Sequence, residues 1–264
     1  MGANLRGPWR QIAFMSNDCD DEQRLLLRRR DPEAPLPVPP DHLMQYRETA
    51  ERHLQRGQSD ANTIRAALAA AGYAHAAGKR TLEFACANAR VLRWFADWAE
   101  DGEAWGVDIN ANSILWAQAN LSPPFYFLVS TTQPHLPFED GYFDVVLCNS
   151  IFTHIDDLFT AWIQELRRIT VRDGFIWITV HDEDTIPIVQ TGERGLAVFK
   201  ADPAFMAYVE DGDFVALGRH GIVPQVFIKR AYLEALMDPW FTLQSREANT
   251  VGGFQGGYLF RRLR

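Results

Sequence analysis

The stretch from Arg80 to Arg90 constrains this chain more than any other. Thr81-Leu-Glu-Phe84 reads as a short buried strand, apolar apart from Glu83. Ala85-Cys-Ala-Asn-Ala89 follows, a turn of small side chains, and helical spacing begins at about Arg90. A strand that passes into a helix through such a turn lets a ligand approach the backbone and meets it with free N–H groups. Open α/β sheets hold nucleotide-like ligands there. The carboxylate that grips a ribose comes from the end of the next strand, where Asp108 stands in Ala104-Trp-Gly-Val-Asp-Ile-Asn110.

From residue 80 onward the hydrophobic pattern alternates between strand and helix. Strands are expected over 81–84, 105–109, 125–129, 142–149 and 175–180. The run Phe143-Asp-Val-Val-Leu-Cys148 suits a central parallel strand. Helices are expected over 91–98, 111–119 and after Asp156, which stands as a cap before Leu158, Phe159, Trp162, Ile163, Leu166 and Ile169. The Asp173-Gly174 pair is expected to turn the chain into the fifth strand. Five strands with intervening helices argue for a Rossmann-like, doubly wound α/β sheet, mostly parallel.

Around that unit the organisation is looser. Residues 1–40 read as a polar arm followed by a proline-dense linker, and 41–264 as a single domain. Within 41–78, one helix is expected from an Asp41 cap to a stop at Gly57, and a second from about Ser59 to Gly72. After His181 the alternation stops. Residues 182–222 are too long for a plain loop and read as an insertion with structure of its own, a lid or a wall of a substrate pocket. Asp202-Pro203 caps a short helix there, and 214–217 pairs with 222–228 as a hairpin around Arg219-His-Gly221. A helix at 230–237 and strands at 241–247 and 258–262 close the chain.

Charge and composition exclude some classes. A formal net charge of −8 disfavours DNA or RNA as the main partner. Arg24, Arg28, Arg29 and Arg30 are interleaved with acidic residues, as on a solvated surface. No apolar run is long enough to span a membrane. Cys19, Cys86 and Cys148 are an odd number without metal-ligand spacing, which suggests reduced thiols and a cytoplasmic location. His42, His53, His75 and His135 likewise show no ligand spacing, so no metal site is expected. The sequence leaves the oligomeric state open.

Candidate functional residues collect at the C-terminal ends of the expected strands. Glu83 and Asp108 end the first two, Asp108 either on ribose hydroxyls or as a helix cap. Asn149-Ser-Ile-Phe-Thr-His154 follows the fourth, and His154 is of the type that serves as a general base near neutral pH. His181 and Asp182 end the fifth strand and are a second, weaker candidate pair. His220 lies farther off, in the insertion.

Taken together these residues resemble the class I S-adenosylmethionine-dependent methyltransferases. Leu82-Glu-Phe-Ala-Cys-Ala-Asn-Ala-Arg90 is similar to that family's Leu-Asp/Glu-Phe-Gly-Cys-Gly-x-Gly-Arg motif. Gly106-Val-Asp-Ile-Asn110, Leu136-Pro-Phe-Glu-Asp-Gly-Tyr-Phe-Asp144 and Asn149-Ser-Ile-Phe-Thr-His-Ile155 follow in the family's order. The resemblance covers about two-thirds of the chain and implies an antiparallel last strand. It implies S-adenosylmethionine as cofactor, held by Glu83, Phe84, Ala85, Cys86, Ala87, Asp108, Ile109, Thr131, Thr132, Asn149 and Ser150. Glu83 would lie near the methionine amino end, Asp108 on the ribose and Ile109 on the adenine. Thr131 or Thr132 falls where many members carry an acid facing the adenine amino group. The implied reaction is methyl transfer to an O, N or C nucleophile of a small-molecule acceptor, with His154 or His181 removing a proton. The other reading is a binding protein of the same fold without turnover, motivated by Ala85, Ala87 and Ala89 in place of the family's three glycines. Where the chain needs a positive φ, alanine costs on the order of 1 kcal/mol or more.

Overall fold

The buried apolar runs pair edge to edge. In a computed structural model describing residues 34–44, 49–192, 196–218 and 224–263, they form one seven-stranded sheet. Its strands are β1 (Arg80–Phe84), β2 (Glu103–Asp108), β3 (Tyr126–Val129), β4 (Phe143–Cys148), β5 (Thr170–Val180), β8 (Phe241–Glu247) and β9 (Gly256–Arg262). A separate hairpin joins β6 (Phe214–Leu217) to β7 (Gln225–Ile228). The sheet order is β3-β2-β1-β4-β5-β9-β8. Pairing is parallel from β3 to β5, while β9 runs antiparallel between β5 and β8. The order reverses between β1 and β4, so the crevice for a ligand opens beyond their C-terminal ends.

Helices cover both faces. On one side α1 (Ala50–Ala70) buries His53, Gly57, Ala61, Ile64, Ala67 and Leu68 along one stripe. Its apolar part packs with Val91, Phe95, Trp98, Trp177 and Leu259. On the other side α4 (Phe159–Ile169) and α7 (Arg230–Met237) pack Trp162, Leu166, Ile169, Leu233 and Met237 against Ile176, Ile178 and Phe260. Two more helices, α2 (Ala96–Asp101) and α3 (Ala111–Leu121), connect β1 to β2 and β2 to β3.

The segment after β5 has its own core. It contains α5 (Ile186–Thr191), α6 (Pro203–Asp211) and the β6–β7 hairpin. Val189, Leu196, Phe199, Phe205, Tyr208, Leu217 and Phe227 pack together there. Asp202 caps α6 through the N–H groups of Ala204 and Phe205, as its position before Pro203 suggests.

Four local expectations change. The two helices expected around Gly57 are one, with Thr49 as cap. Gly57 is not a stop: a Cβ there would lie 2.1 Å from the Arg90 carbonyl oxygen, so glycine lets the helix touch the loop after β1. Asp41 begins only a 3-10 turn, Asp41–Leu43. Asp156 does not cap α4, whose N-terminus follows Leu158 with no side-chain cap; Asp156 accepts instead from the Asp157 N–H at 2.8 Å. Asp173, at φ 63°, sits inside β5, where residues 171–174 bulge out between the pairs Phe143–Thr170 and Val145–Phe175. The arginine cluster at 24–30, Cys19 and His220 lie outside the described residues.

Candidate active site

The loop after β1 is built by backbone. Ala85, Ala87 and Ala89 have φ of 60°, 47° and 61°, so all three stand in the left-handed region that glycine enters freely. Hydrogen bonds over-determine that path. Cys86 N–H donates to Val107 O at 3.0 Å, Ala87 N–H to Asp108 Oδ2 at 2.7 Å, and Ala89 N–H to Cys86 O at 2.8 Å. Gly106 makes room, since a Cβ there would lie 2.7 Å from the Cys86 sulfur. Asp108 also accepts from Asn110 N–H at 2.7 Å through Oδ1. It is not the cap of α3. Asn110 holds that place, accepting from Ser113 N–H.

Glu83 is buried at the end of β1 and accepts from Leu92 N–H at 2.8 Å. Burial pushes its carboxyl up to about 8, against the pull of that N–H and of Arg90. Arg90 in turn reaches Asp60 of α1 at 2.8 Å. Asp60 also accepts from Asn149 Nδ2 at 3.2 Å. One carboxylate on α1 therefore ties the end of the β1 loop to the end of β4. Ser150, at φ 64°, is held by Thr179 Oγ1, which accepts its N–H, and by Gln255 Nε2, which donates to its Oγ at 2.9 Å.

These groups wall a cavity of about 430 Å³. Glu83, Phe84, Ala85, Cys86, Ala87, Asp108, Ile109, Thr131, Thr132, Asn149, Ser150 and His154, named from the sequence, all line it. His181 does not. It is buried, stacked between Phe227 and Phe254 at centroid distances of 5.0 and 5.5 Å, and burial drives its pKa down to about 4. Asp182 is also fully buried, accepting from Tyr258 OH at 2.6 Å and pairing with Arg246 at 2.7 Å. Sequence reasoning missed Asn88, Arg90, Trp162 and, from α1, His53. The motif's closing arginine signalled Arg90; nothing local placed α1 over the crevice.

Residues 82–178 match a family model described as a methyltransferase domain. The chain carries a methyltransferase domain over that stretch, and its fold is that of the class I S-adenosylmethionine-dependent methyltransferases. Among solved structures, the methyltransferase is similar to the PH0226 protein from Pyrococcus horikoshii, with 19% identity over 83% of this chain and 94% of that one and a TM-score of 0.57. It is also similar to magnesium protoporphyrin IX methyltransferase from Synechocystis with bound SAH, at 15% identity over 81% and 88% and a TM-score of 0.56. A third is 1,6-didemethyltoxoflavin-N1-methyltransferase from Burkholderia thailandensis, at 15% over 88% and 94% with a TM-score of 0.50. A search of the curated proteins found no significant match.

S-adenosylmethionine is the methyl donor that this match and fold imply. The residues present fit it. The alanines trace the backbone path that glycines would, and the cavity beside them stays open. Asp108, Asp156 and Asp157 face it with carboxylates against the single guanidinium of Arg90, while the raised Glu83 carboxyl adds little charge near neutral pH. That balance suits a cationic donor. Among the described residues, no group of three or more His, Cys, Asp or Glu could hold a metal ion, and no helix is long and apolar enough to cross a membrane.

Proposed function

We propose that this methyltransferase acts on an O, N or C nucleophile of a small molecule, with His154 as the base when the acceptor carries a removable proton. When bound, S-adenosylmethionine supplies a methyl group whose bond to sulfur breaks with its electron pair left on sulfur, as the acceptor's lone pair forms the new bond. Asp108 holds the ribose hydroxyls with the lone pairs left after Ala87 and Asn110. Glu83 and Arg90 meet the amino and carboxylate groups of the methionine end. Thr131 and Thr132 offer hydroxyls to the adenine edge, where the family's acid is absent. The chain's main task is to align the two partners in a water-poor cleft.

The observation that carries the acceptor side is a second cavity, of about 750 Å³, bounded by β6 and the start of α6. It shares Asp156 and Asp157 with the first. The inserted segment therefore supplies walls of a cavity that adjoins the first at those two residues. Its Phe214, Val215 and Leu217 offer apolar contact, and Asp202 adds a carboxylate. An acceptor with an apolar body suits that wall, and its three carboxylates, Asp156, Asp157 and Asp202, disfavour a polyanion.

The test is incubation of the enzyme with methyl-labelled S-adenosylmethionine and a fractionated cell extract. Label should enter the small-molecule fraction. Label confined to the protein or nucleic-acid fraction would overturn the acceptor class. His154→Ala should abolish transfer to a hydroxyl acceptor while S-adenosylhomocysteine still binds.

A further inference from the structure

The inserted hairpin reaches the strand ends of the sheet through β7. Val226 N–H donates to Thr153 O at 2.8 Å, and Ile228 N–H to His181 O at 2.9 Å. An isolated parallel bridge joins His181 to Phe227. β7 thus lies across the segments that follow β4 and β5. At its start, Pro224 O lies 2.9 Å from His154 Nδ1. A carbonyl oxygen only accepts, so at that distance Nδ1 carries the proton. The lone pair then belongs to Nε2, on a ring that lines the donor cavity.

The next residue completes the arrangement. Gln225 stands between the two histidines, its side-chain amide 3.2 Å from His181 Nε2 and 3.3 Å from His154 Nδ1. We infer that Pro224, at the start of this strand, is a positioning residue for His154, its carbonyl setting the tautomer so that Nε2 is the basic nitrogen. This rests on the reading of His154 as the base. Around His154, the charged or titratable groups are Asp156 and Asp157 on its own loop, Glu83, Cys86, Asp108, Arg90 and, from α1, His53 on the cavity wall, and His181 behind Gln225. Among the described residues, the insertion contributes only the uncharged Pro224 and Gln225 to that contact. Burial lowers the pKa of His154, which favours the neutral ring.

The experiment is a pH titration of the full chain, labelled with ¹⁵N-histidine, followed by long-range ¹H–¹⁵N correlation. His154→Asn assigns the resonance. The expected result is a protonated Nδ1 and an unprotonated Nε2, with a midpoint below that of free histidine. Gln225→Glu puts a carboxylate oxygen beside Nδ1 and should raise the midpoint by about one pH unit or more. Gln225→Met, which carries no charge, should leave it within about half a unit and reports whether the strand still folds. A proton on Nε2 in the parent chain, or an unmoved midpoint in a folded Gln225→Glu variant, would overturn the proposal. Calorimetry with S-adenosylhomocysteine separates the two readings. Binding together with the wrong tautomer sinks only the positioning role; the right tautomer without binding sinks the donor site.

Discussion

Ala87 donates its backbone N–H to Asp108 Oδ2 across 2.7 Å, so the turn after β1 and the end of β2 are a single unit. Asp108 braces the loop, and in the proposed function its outer lone pairs also take the ribose. Asp108→Ala should weaken S-adenosylhomocysteine binding by at least about tenfold, since a hydrogen bond to a charged group contributes about 1.5–3 kcal/mol. Asp108→Asn should do nearly as badly. The amide nitrogen is a donor and would meet the N–H of either Ala87 or Asn110. Calorimetry checks both, and full affinity in Asp108→Asn would contradict the bracing role.

The alanine turn gives a prediction of unusual sign. Left-handed alanine costs about 1–2 kcal/mol, and replacing alanine by glycine loses about 0.4–1 kcal/mol through the unfolded chain. Ala85→Gly and Ala87→Gly should therefore stabilise the protein, by a few tenths to about 1 kcal/mol each. Ala89 is fully buried, and losing its methyl costs about 0.8 kcal/mol, so Ala89→Gly should be close to neutral. Chemical denaturation of the three variants measures this. Destabilisation at all three sites would show that the methyl groups pack productively.

Glu83 links the donor site to pH. Its carboxyl is raised from 4.5 to about 8 in the folded chain. The folded state therefore holds a proton that the unfolded state releases. That contribution to stability is whole below about pH 4.5, falls as the pH climbs, and is gone above about 8. A ligand ammonium prefers the ionised form, so the affinity for S-adenosylhomocysteine should increase as the pH rises through about 8. Glu83→Gln should flatten both trends. A pH slope that survives in that variant belongs to another group.

Gly57 is the point where α1 touches the donor loop. Gly57→Ala would press a methyl group against the Arg90 carbonyl. Overpacking of this kind costs about 1–3 kcal/mol. It should also part Asp60 from Arg90 and Asn149, so cofactor affinity and thermal stability should fall together. Asp60→Asn, which leaves the helix contact intact, should lower affinity more than stability.

The sheet was legible because its strands are short apolar runs with a parallel-sheet pattern, and 143–148 is the plainest of them. The wall of the first cavity was legible for the same reason, since strand ends place side chains without help from distant residues. Contacts from afar were not. Gly57 carries the local signature of a helix stop, and only the nearness of Arg90 explains it inside one. His181 ends a strand as His154 follows one, yet Phe227 and Phe254 close over it. Those rings come from residues 46 and 73 positions downstream, beyond any local pattern.

The position of β9 governs the order in which the molecule can assemble. It pairs with β5 on one edge and β8 on the other, although β8 precedes it in the chain. β8 therefore has no place in the sheet until β9 has arrived. Until then β5, with Trp177 and Ile178 along it, presents an open apolar edge, the sort that recruits neighbouring chains. Closing it requires a contact between residues about eighty positions apart in sequence, the slow kind to form. The docking of β9 and the covering of the β5 edge are the same event.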